Sequence, residues 1–83
     1  MRQVKLYTRH LCSWCVDAKN YLRQHKIPFE EIDVGQNPEA YEEMKRLSGQ
    51  QYVPTILAGG RVLANFDMEQ LERFLISING GGR

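Results

Sequence analysis

Cysteine is scarce in this chain, and the two that occur stand close together. Cys12 and Cys15 are the only cysteines among 83 residues. One C-x-x-C pair in a chain that is not exported is typical of redox or metal chemistry, and it excludes a scaffold held together by several disulfides. The first residues, Met1 to Lys5, lack an apolar stretch of signal-peptide length. We therefore expect no export and a cytoplasmic protein.

Long apolar runs and an excess of charge of one sign are also missing. No apolar stretch approaches the roughly 18 residues that a transmembrane helix needs, so no membrane span is expected. The formal net charge of +1 gives no electrostatic reason to expect nucleic acid or an anionic membrane as a partner. The chain has no repeats and no internal linker. We expect one domain over residues 1–79 and a disordered tail over residues 80–83.

The first half of the chain alternates strand and helix patterns. Gln3 to Thr8 alternates apolar and polar residues and predicts a strand. From Ser13 to about His25, apolar residues recur at helical spacing, and Pro28 blocks any continuation. Phe29 to Val34 predicts a second strand, which Gly35 ends. The apolar residues of the predicted helix are Trp14, Cys15, Ala18, Tyr21 and Leu22.

The next helix is marked at both of its ends. Asn37 and Pro38 predict its start, with Asn as the N-cap and Pro at the first helical position. Gly49 predicts its end. The predicted buried stripe of this helix consists of Tyr41, Met44 and Leu47.

The second half predicts a β-hairpin and a final helix. The runs Thr55–Ala58 and Arg61–Ala64 flank Gly59-Gly60, which predicts two strands joined by a primed turn. Asp67 and Gln70 resemble a capping box, and the flanking Phe66 and Leu71 occupy the positions of a hydrophobic staple. The predicted order is β-α-β-α-β-β-α. This order indicates an α/β fold with helices on both faces of the sheet.

The cysteine pair lies where the first strand meets the first helix. A free cysteine is only about 3% thiolate at neutral pH, but the N-terminus of a helix favours the thiolate form. Cys12 lies nearer the free N–H groups of the first turn and is the candidate nucleophile. Cys15, deeper in the helix, would release the product by attacking the Cys12 sulfur.

The residues around the pair allow functional and structural interpretations. Ser13 is a candidate hydroxyl donor near the Cys12 sulfur. Trp14 lies either at the surface beside the pair or in the core. Arg9 either favours the thiolate and attracts an acidic substrate group or is a solvated surface arginine. His10 is either close enough to contribute or an idle loop histidine.

A metal site is the chemical alternative to a disulfide. His10, Cys12, Cys15 and His25 nominally provide a Cys₂His₂ zinc set. Their spacing is not that of a familiar zinc finger, and His25 lies roughly 15 Å along the helix from Cys15. We therefore predict no metal ligands.

Residues across most of the chain carry a family resemblance. The matching segments are Tyr7-Thr8-Arg9, Cys12-Ser13-Trp14-Cys15, Ser48-Gly49, Val53-Pro54 and Phe66-Asp67. In this order and spacing, which match to about Leu75, the chain resembles a glutaredoxin of the thioredoxin superfamily. The resemblance implies a thioredoxin-like fold, with a four-stranded mixed sheet flanked by three helices and a cis bond between Val53 and Pro54.

The resemblance also implies an activity and its partners. The chain is expected to be a dithiol–disulfide oxidoreductase that reduces protein or glutathione mixed disulfides, with Cys12 as nucleophile and Cys15 as resolving thiol. Glutathione is the implied co-substrate, disulfide-containing proteins are the implied substrates, and the expected state is a monomer without a tightly bound cofactor. The backbone of Val53 would pair with an extended substrate. The implied substrate-binding residues are Arg9, Ser13, Trp14, Val53, Pro54, Asn65, Phe66 and Asp67.

Four positions depart from the pattern of relatives and keep alternatives open. Ala64-Asn65 stands where such relatives typically carry Gly-Gly, and Met68 replaces a possible acidic residue. The alternative that these departures leave open is a glutaredoxin-like redoxin that thioredoxin reductase recycles, some of which serve ribonucleotide reductase. Ser13 stands where proline is common, and serine there accompanies a glutathione-ligated 2Fe-2S cluster between two subunits in some relatives. For Asp67, helix capping alone is the competing explanation.

Overall fold

A computed structural model describes residues 3–80 of the protein. Within them the elements follow the predicted order β-α-β-α-β-β-α. They are β1 (Val4–Thr8), α1 (Ser13–Gln24), β2 (Glu30–Asp33), α2 (Pro38–Ser48), β3 (Thr55–Ala58), β4 (Arg61–Ala64) and α3 (Met68–Gly80).

The four strands form one mixed sheet in the order β2-β1-β3-β4. Strand β1 runs parallel to β2, with Leu6 opposite Glu31, and antiparallel to β3, with Leu6 opposite Ile56. Strands β3 and β4 form an antiparallel hairpin, with Ala58 opposite Arg61. Gly59 and Gly60, with φ of 59° and 79°, supply the positive values that a primed turn needs.

Alternate side chains of β1 point to opposite faces of the sheet and join two separate apolar clusters. Val4 and Leu6 face a cluster built mainly with α1 and α3, and Tyr7 faces a smaller cluster with α2. Helices therefore cover both faces of the sheet, as predicted. The buried members of the larger cluster are Val4, Leu6, Ala18, Leu22, Ile56, Ala58, Phe66, Leu71, Phe74 and Leu75.

Local capping signals are confirmed in α2 and α3. The Asn37 side chain accepts from the Ala40 N–H at 3.1 Å. Gly49 ends α2 in the left-handed region, with φ of 72°. At the start of α3, the Asp67 N–H donates to Gln70 Oε1 at 3.0 Å, and the Gln70 N–H donates to Asp67 Oδ1 at 2.8 Å. This reciprocal pair is the predicted capping box.

Two sequence expectations need correction or completion. Leu47 was expected in the buried stripe of α2, but its side chain is 43% exposed, and Ala40 is buried with Met44 instead. Leu47 stands in the last turn of α2, which ends at Ser48, and it is not part of the apolar cluster that Ala40 and Met44 join. Helix α3 continues through Gly80, one residue into the predicted tail, and residues 81–83 lie outside the described residues.

Candidate functional site

The cysteine pair caps the N-terminus of α1. Cys12 is the N-cap residue in an extended conformation, and its Sγ accepts from the Cys15 N–H at 3.1 Å. The two sulfurs are joined as a disulfide, and the Cα atoms are 5.2 Å apart. Cys12 is partly exposed, whereas Cys15 is 1% exposed. The pair therefore presents one sulfur to the surface and keeps the other inside, as the two assigned roles require.

A sharp turn between β1 and α1 brings Cys12 to the surface. Leu11 adopts φ of 58°, a left-handed conformation that is uncommon for leucine, and its side chain is 93% exposed. Strained positions of this kind concentrate at functional sites and persist where the surroundings fix them. This conformation was not predictable from the sequence, because leucine carries no turn preference.

Arg9, Ser13, Trp14 and Val53 come together beside Cys12 in a cleft of about 360 Å³, here called the front cleft. His10 and Leu11 also line it. Trp14 is 56% exposed, so the surface interpretation is confirmed and the core interpretation is wrong. The front cleft thus contains a reactive sulfur, a cation, a hydroxyl and an aromatic face.

The Val53–Pro54 peptide bond is cis, as the resemblance implied. Pro54 is buried, and its carbonyl accepts from the Asn65 N–H at 2.9 Å. Asn65 adopts φ of 53°, a conformation that glycine takes freely and asparagine tolerates better than most residues. The replacement of a family glycine at this position is therefore compatible with the same backbone path.

Phe66 and Asp67 lie next to this junction but have other contacts. The Phe66 side chain is 1% exposed in the larger apolar cluster. Asp67 uses both its N–H and its carboxylate in the capping box. The residues that line the front cleft do not include Asn65, Phe66 or Asp67. Their role in substrate binding stays a prediction.

A side chain that the sequence did not single out braces the loop before Pro54. The Gln50 side-chain amide donates to Ser48 Oγ (3.2 Å), the Tyr52 carbonyl (3.0 Å) and Thr55 Oγ1 (3.1 Å). Its Oε1 accepts from the Tyr52 N–H at 2.7 Å. One side chain therefore connects the end of α2 to both sides of Val53-Pro54.

Arg9 is held by a second unexpected contact. Its guanidinium carbon lies 4.9 Å from the centroid of the Tyr41 ring on α2, and Lys45 Nζ lies 4.7 Å from the same centroid. Cation–π contacts at exposed sites contribute about 0.5–1 kcal/mol each. Tyr41 therefore directs Arg9 while leaving its charge beside the front cleft.

A larger cleft of about 540 Å³, here called the rear cleft, opens on the other side of the pair. It shares residues 9–13 with the front cleft and adds Cys15, Val16, Lys19, Glu31 and Asp33. Lys19 Nζ lies 3.1 Å from Glu31 Oε2, and the buried Thr8 hydroxyl donates to the same oxygen at 3.0 Å. This group of side chains was not predictable from the sequence, because Thr8, Lys19 and Glu31 come from three separate elements.

Nothing in residues 3–80 assembles the nominal zinc set. Across these residues no three His, Cys, Asp or Glu side chains are grouped as metal ligands. The His25 ring lies 4.2 Å from the Tyr21 ring at the far end of α1. In the same part of the chain, no helix combines the length and apolar character that crossing a membrane demands.

Comparisons with known proteins agree with this geometry. The glutaredoxin family model matches residues 4–63. A glutaredoxin from Neisseria meningitidis is 37% identical over 75 residues, which cover 88% of both chains. An uncharacterized glutaredoxin-like 8.6 kDa protein from the rubredoxin operon of Clostridium pasteurianum is 31% identical over 72 residues, covering 87% of this chain and 96% of the relative.

A solved structure extends the likeness to three dimensions. The glutaredoxin-like protein NrdH-redoxin from Escherichia coli superposes with a TM-score of 0.75 at 30% identity, covering 86% of this chain and 92% of the other. The match covers most of the thioredoxin-like fold. The chain therefore belongs to the glutaredoxin family of thiol–disulfide oxidoreductases.

Proposed function

We propose that Cys12 attacks a substrate disulfide and that Cys15 resolves the resulting mixed disulfide. The observation that carries this assignment is the asymmetry of the pair: Cys12 is partly exposed at the start of α1, and Cys15 is buried one turn inside. The Cys15 N–H points at the Cys12 sulfur, and a hydrogen bond from a helix start favours the charged thiolate.

The sulfur exchange balances in two steps. The Cys12 thiolate forms a bond to one substrate sulfur, and the substrate disulfide breaks to release the first thiolate. Cys15 then loses its proton and attacks Cys12 Sγ, so that the second substrate thiolate leaves and the Cys12–Cys15 disulfide remains. The substrate gains two electrons, and the protein loses two.

The front cleft is the proposed substrate site. An extended segment lying across it would pair with the backbone of Val53 before Pro54, as in strand addition. Arg9 offers a cation for an acidic group, Ser13 a hydroxyl, and Trp14 an exposed ring. These contacts suit a disulfide in a peptide or in a glutathione adduct.

Replacing the two cysteines separately tests the assignment. Cys12→Ser keeps an N-cap residue, because serine caps helices well, but it should reduce no disulfide above background. Cys15→Ser should accumulate a stable mixed disulfide at Cys12, detected by mass spectrometry. Substantial disulfide reduction by Cys12→Ser, or adduct formation at Cys15, would contradict the proposal.

Two reductants are candidates for reducing the Cys12–Cys15 disulfide again: glutathione and thioredoxin reductase. Glutathione use is general in the family. However, the Asp67 N–H is already bound to Gln70, which leaves fewer free donors for a glutathione carboxylate at the start of α3. Recycling by thioredoxin reductase is therefore the second candidate, and it matches the thioredoxin-like activity profile described for the NrdH-redoxin.

A direct assay separates the two reductants. The oxidised protein is offered either glutathione with its reductase or thioredoxin reductase, each with NADPH, and the return of two thiols is followed. Both reductants belong to a reducing compartment, which supports a cytoplasmic protein. Purification without oxygen should yield a colourless monomer, and a brown dimer with bound glutathione would favour the cluster carrier instead.

A further inference from the structure

We propose that Lys19 promotes the second step by placing a positive charge beside Cys15 when that thiol becomes a thiolate, and that Glu31 holds the Lys19 ammonium in this position. Lys19 is then a positioning residue of the rear cleft and has no contact with the substrate. The inference rests on the proposed order of the two cysteines.

The problem that Lys19 addresses is the burial of Cys15. Its side chain is 1% exposed, whereas Cys12 is partly exposed. The thiolate is the attacking form of a cysteine, and an apolar environment opposes its formation. The second step therefore needs a compensating charge close to Cys15.

Helix α1 brings Lys19 to the required place. Lys19 follows Cys15 by four residues, so their Cβ atoms lie about 5–6 Å apart on one side of the helix. Both residues line the rear cleft. Lys19 Nζ lies 3.1 Å from Glu31 Oε2, and the Lys19 side chain is only 22% exposed. The ammonium is therefore kept at the protein surface beside the cleft.

Glu31 is itself fixed to the sheet. Its Oε2 accepts from the hydroxyl of Thr8, a residue 1% exposed on the central strand β1, at 3.0 Å. Other charged groups that face the cleft come from the loop after β1 and from β2: Arg9, His10 and Asp33. Asp33 accepts from the Gly35 N–H at 2.8 Å within its own turn, and Lys19 is the cation that α1 contributes to the cleft lining.

The step balances with water as the proton acceptor. The Cys15 thiol gives its proton to water in the rear cleft, and its sulfur bonds to Cys12 Sγ. The bond between Cys12 and the substrate sulfur breaks, its electron pair leaves with that sulfur, and the substrate thiolate takes a proton from solvent. Lys19 keeps its own proton throughout.

Ionisation of Cys15 can be measured alone in a Cys12→Ser background, where it is the only cysteine. The rate of alkylation by iodoacetamide is followed against pH. A nearby opposite charge favours the charged form of a thiol, so Lys19→Met should raise the pH midpoint of alkylation by about one unit. Lys19→Arg keeps the positive charge, so its pH midpoint of alkylation should stay near that of the Cys12→Ser parent. Arg73→Met removes a cation of an exposed pair on α3 and should leave the midpoint unchanged.

Glu31→Gln is a second variant that tests the inference if Lys19→Met does not fold. It removes the opposing negative charge while retaining an oxygen that accepts from Lys19, so the midpoint should fall rather than rise. In the chain with both cysteines, Lys19→Met should lengthen the lifetime of the mixed disulfide at Cys12 about tenfold, because one unit of ionisation is a tenfold change in thiolate.

Equal midpoints for Lys19→Met and Arg73→Met, or a rise for both Lys19→Met and Glu31→Gln, would overturn the inference. Failure of the proposed cysteine order has a different signature, since Cys12→Ser alone would then still reduce disulfides. The alkylation measurement does not depend on the reductant or on the physiological substrate.

Discussion

Substitution of Gln50 tests how the loop before Pro54 is held in position. The Gln50 side chain makes four hydrogen-bond contacts, three of which share the two hydrogens of its amide nitrogen. These contacts connect Ser48 at the end of α2 to Tyr52 and Thr55 on either side of Val53-Pro54. Gln50→Ala removes all four. Because Val53 offers its backbone to the substrate in our proposal, the loss should affect substrate binding as well as stability.

The loss of stability in Gln50→Ala depends on which of the former partners of Gln50 can form hydrogen bonds with water instead. A typical intramolecular hydrogen bond contributes about 0.5–1.5 kcal/mol net. Tyr52 is exposed, so water replaces Gln50 at its N–H and carbonyl, and the buried Thr55 hydroxyl keeps its 2.8 Å bond to the Tyr52 carbonyl. We therefore expect Gln50→Ala to lower the free energy of unfolding by about 1–3 kcal/mol, well below the sum of four full bonds.

Urea denaturation and steady-state reduction of a mixed disulfide measure the two effects. The KM should rise more than kcat falls, because the loop binds substrate and carries no reacting atom. Gln50→Glu keeps the shape but places a carboxylate against the Tyr52 carbonyl, and should be at least as damaging. Gln51→Ala, at the exposed neighbour, is the matched control. Equal stability and KM in Gln50→Ala and Gln51→Ala would refute the bracing role.

Two further predictions concern the backbone and the core. Asn65→Ala should lower the free energy of unfolding by about 1 kcal/mol in urea, since its φ of 53° is costly for a side chain with Cβ and no local polar group, whereas Asn65→Gly should be nearly neutral. Equal losses for both would contradict this reason. Burial and the hydrogen bond to Glu43 raise the pKa of Tyr7 above its ordinary value of 10.0, so its contribution to stability is complete below pH 10 and is lost as pH rises further. Stability of Tyr7→Phe should therefore decline less steeply above pH 10 than that of the parent, and parallel curves would contradict the assignment.

Features that depend on nearby residues were predictable from the sequence. The capping box of Asp67 and Gln70, the Asn37 cap and the Gly59-Gly60 turn each involve groups within a few residues of one another. Their geometry is fixed by local backbone chemistry whatever the rest of the chain does. The same reason explains why Cys12 was correctly placed at the start of α1.

Features that depend on distant partners were not predictable. Arg9 contacts Tyr41 across 32 positions of the chain, and Lys19 meets Glu31 only because β1 and β2 pair in parallel. Leu47 fits the helical period of α2, yet the period alone does not report where the apolar cluster against the helix ends. Gln50 is a different case: its bonds are local, but glutamine has no turn preference strong enough to mark it.

The two clefts surround the two cysteines differently, which the C-x-x-C motif alone does not reveal. Cys12 borders both clefts, whereas Cys15 borders the rear cleft. A substrate that approaches the partly exposed sulfur from the side of Trp14 and Val53 leaves the surroundings of the buried sulfur unchanged. Under the proposed order, the first step depends on Trp14 and Val53, which line the front cleft and not the rear one, and the second depends on Lys19, which lines the rear cleft and not the front one. Substitutions at Trp14 or Val53 should then change substrate preference more than the rate of product release, whereas Arg9 borders both clefts and its substitution should affect both steps.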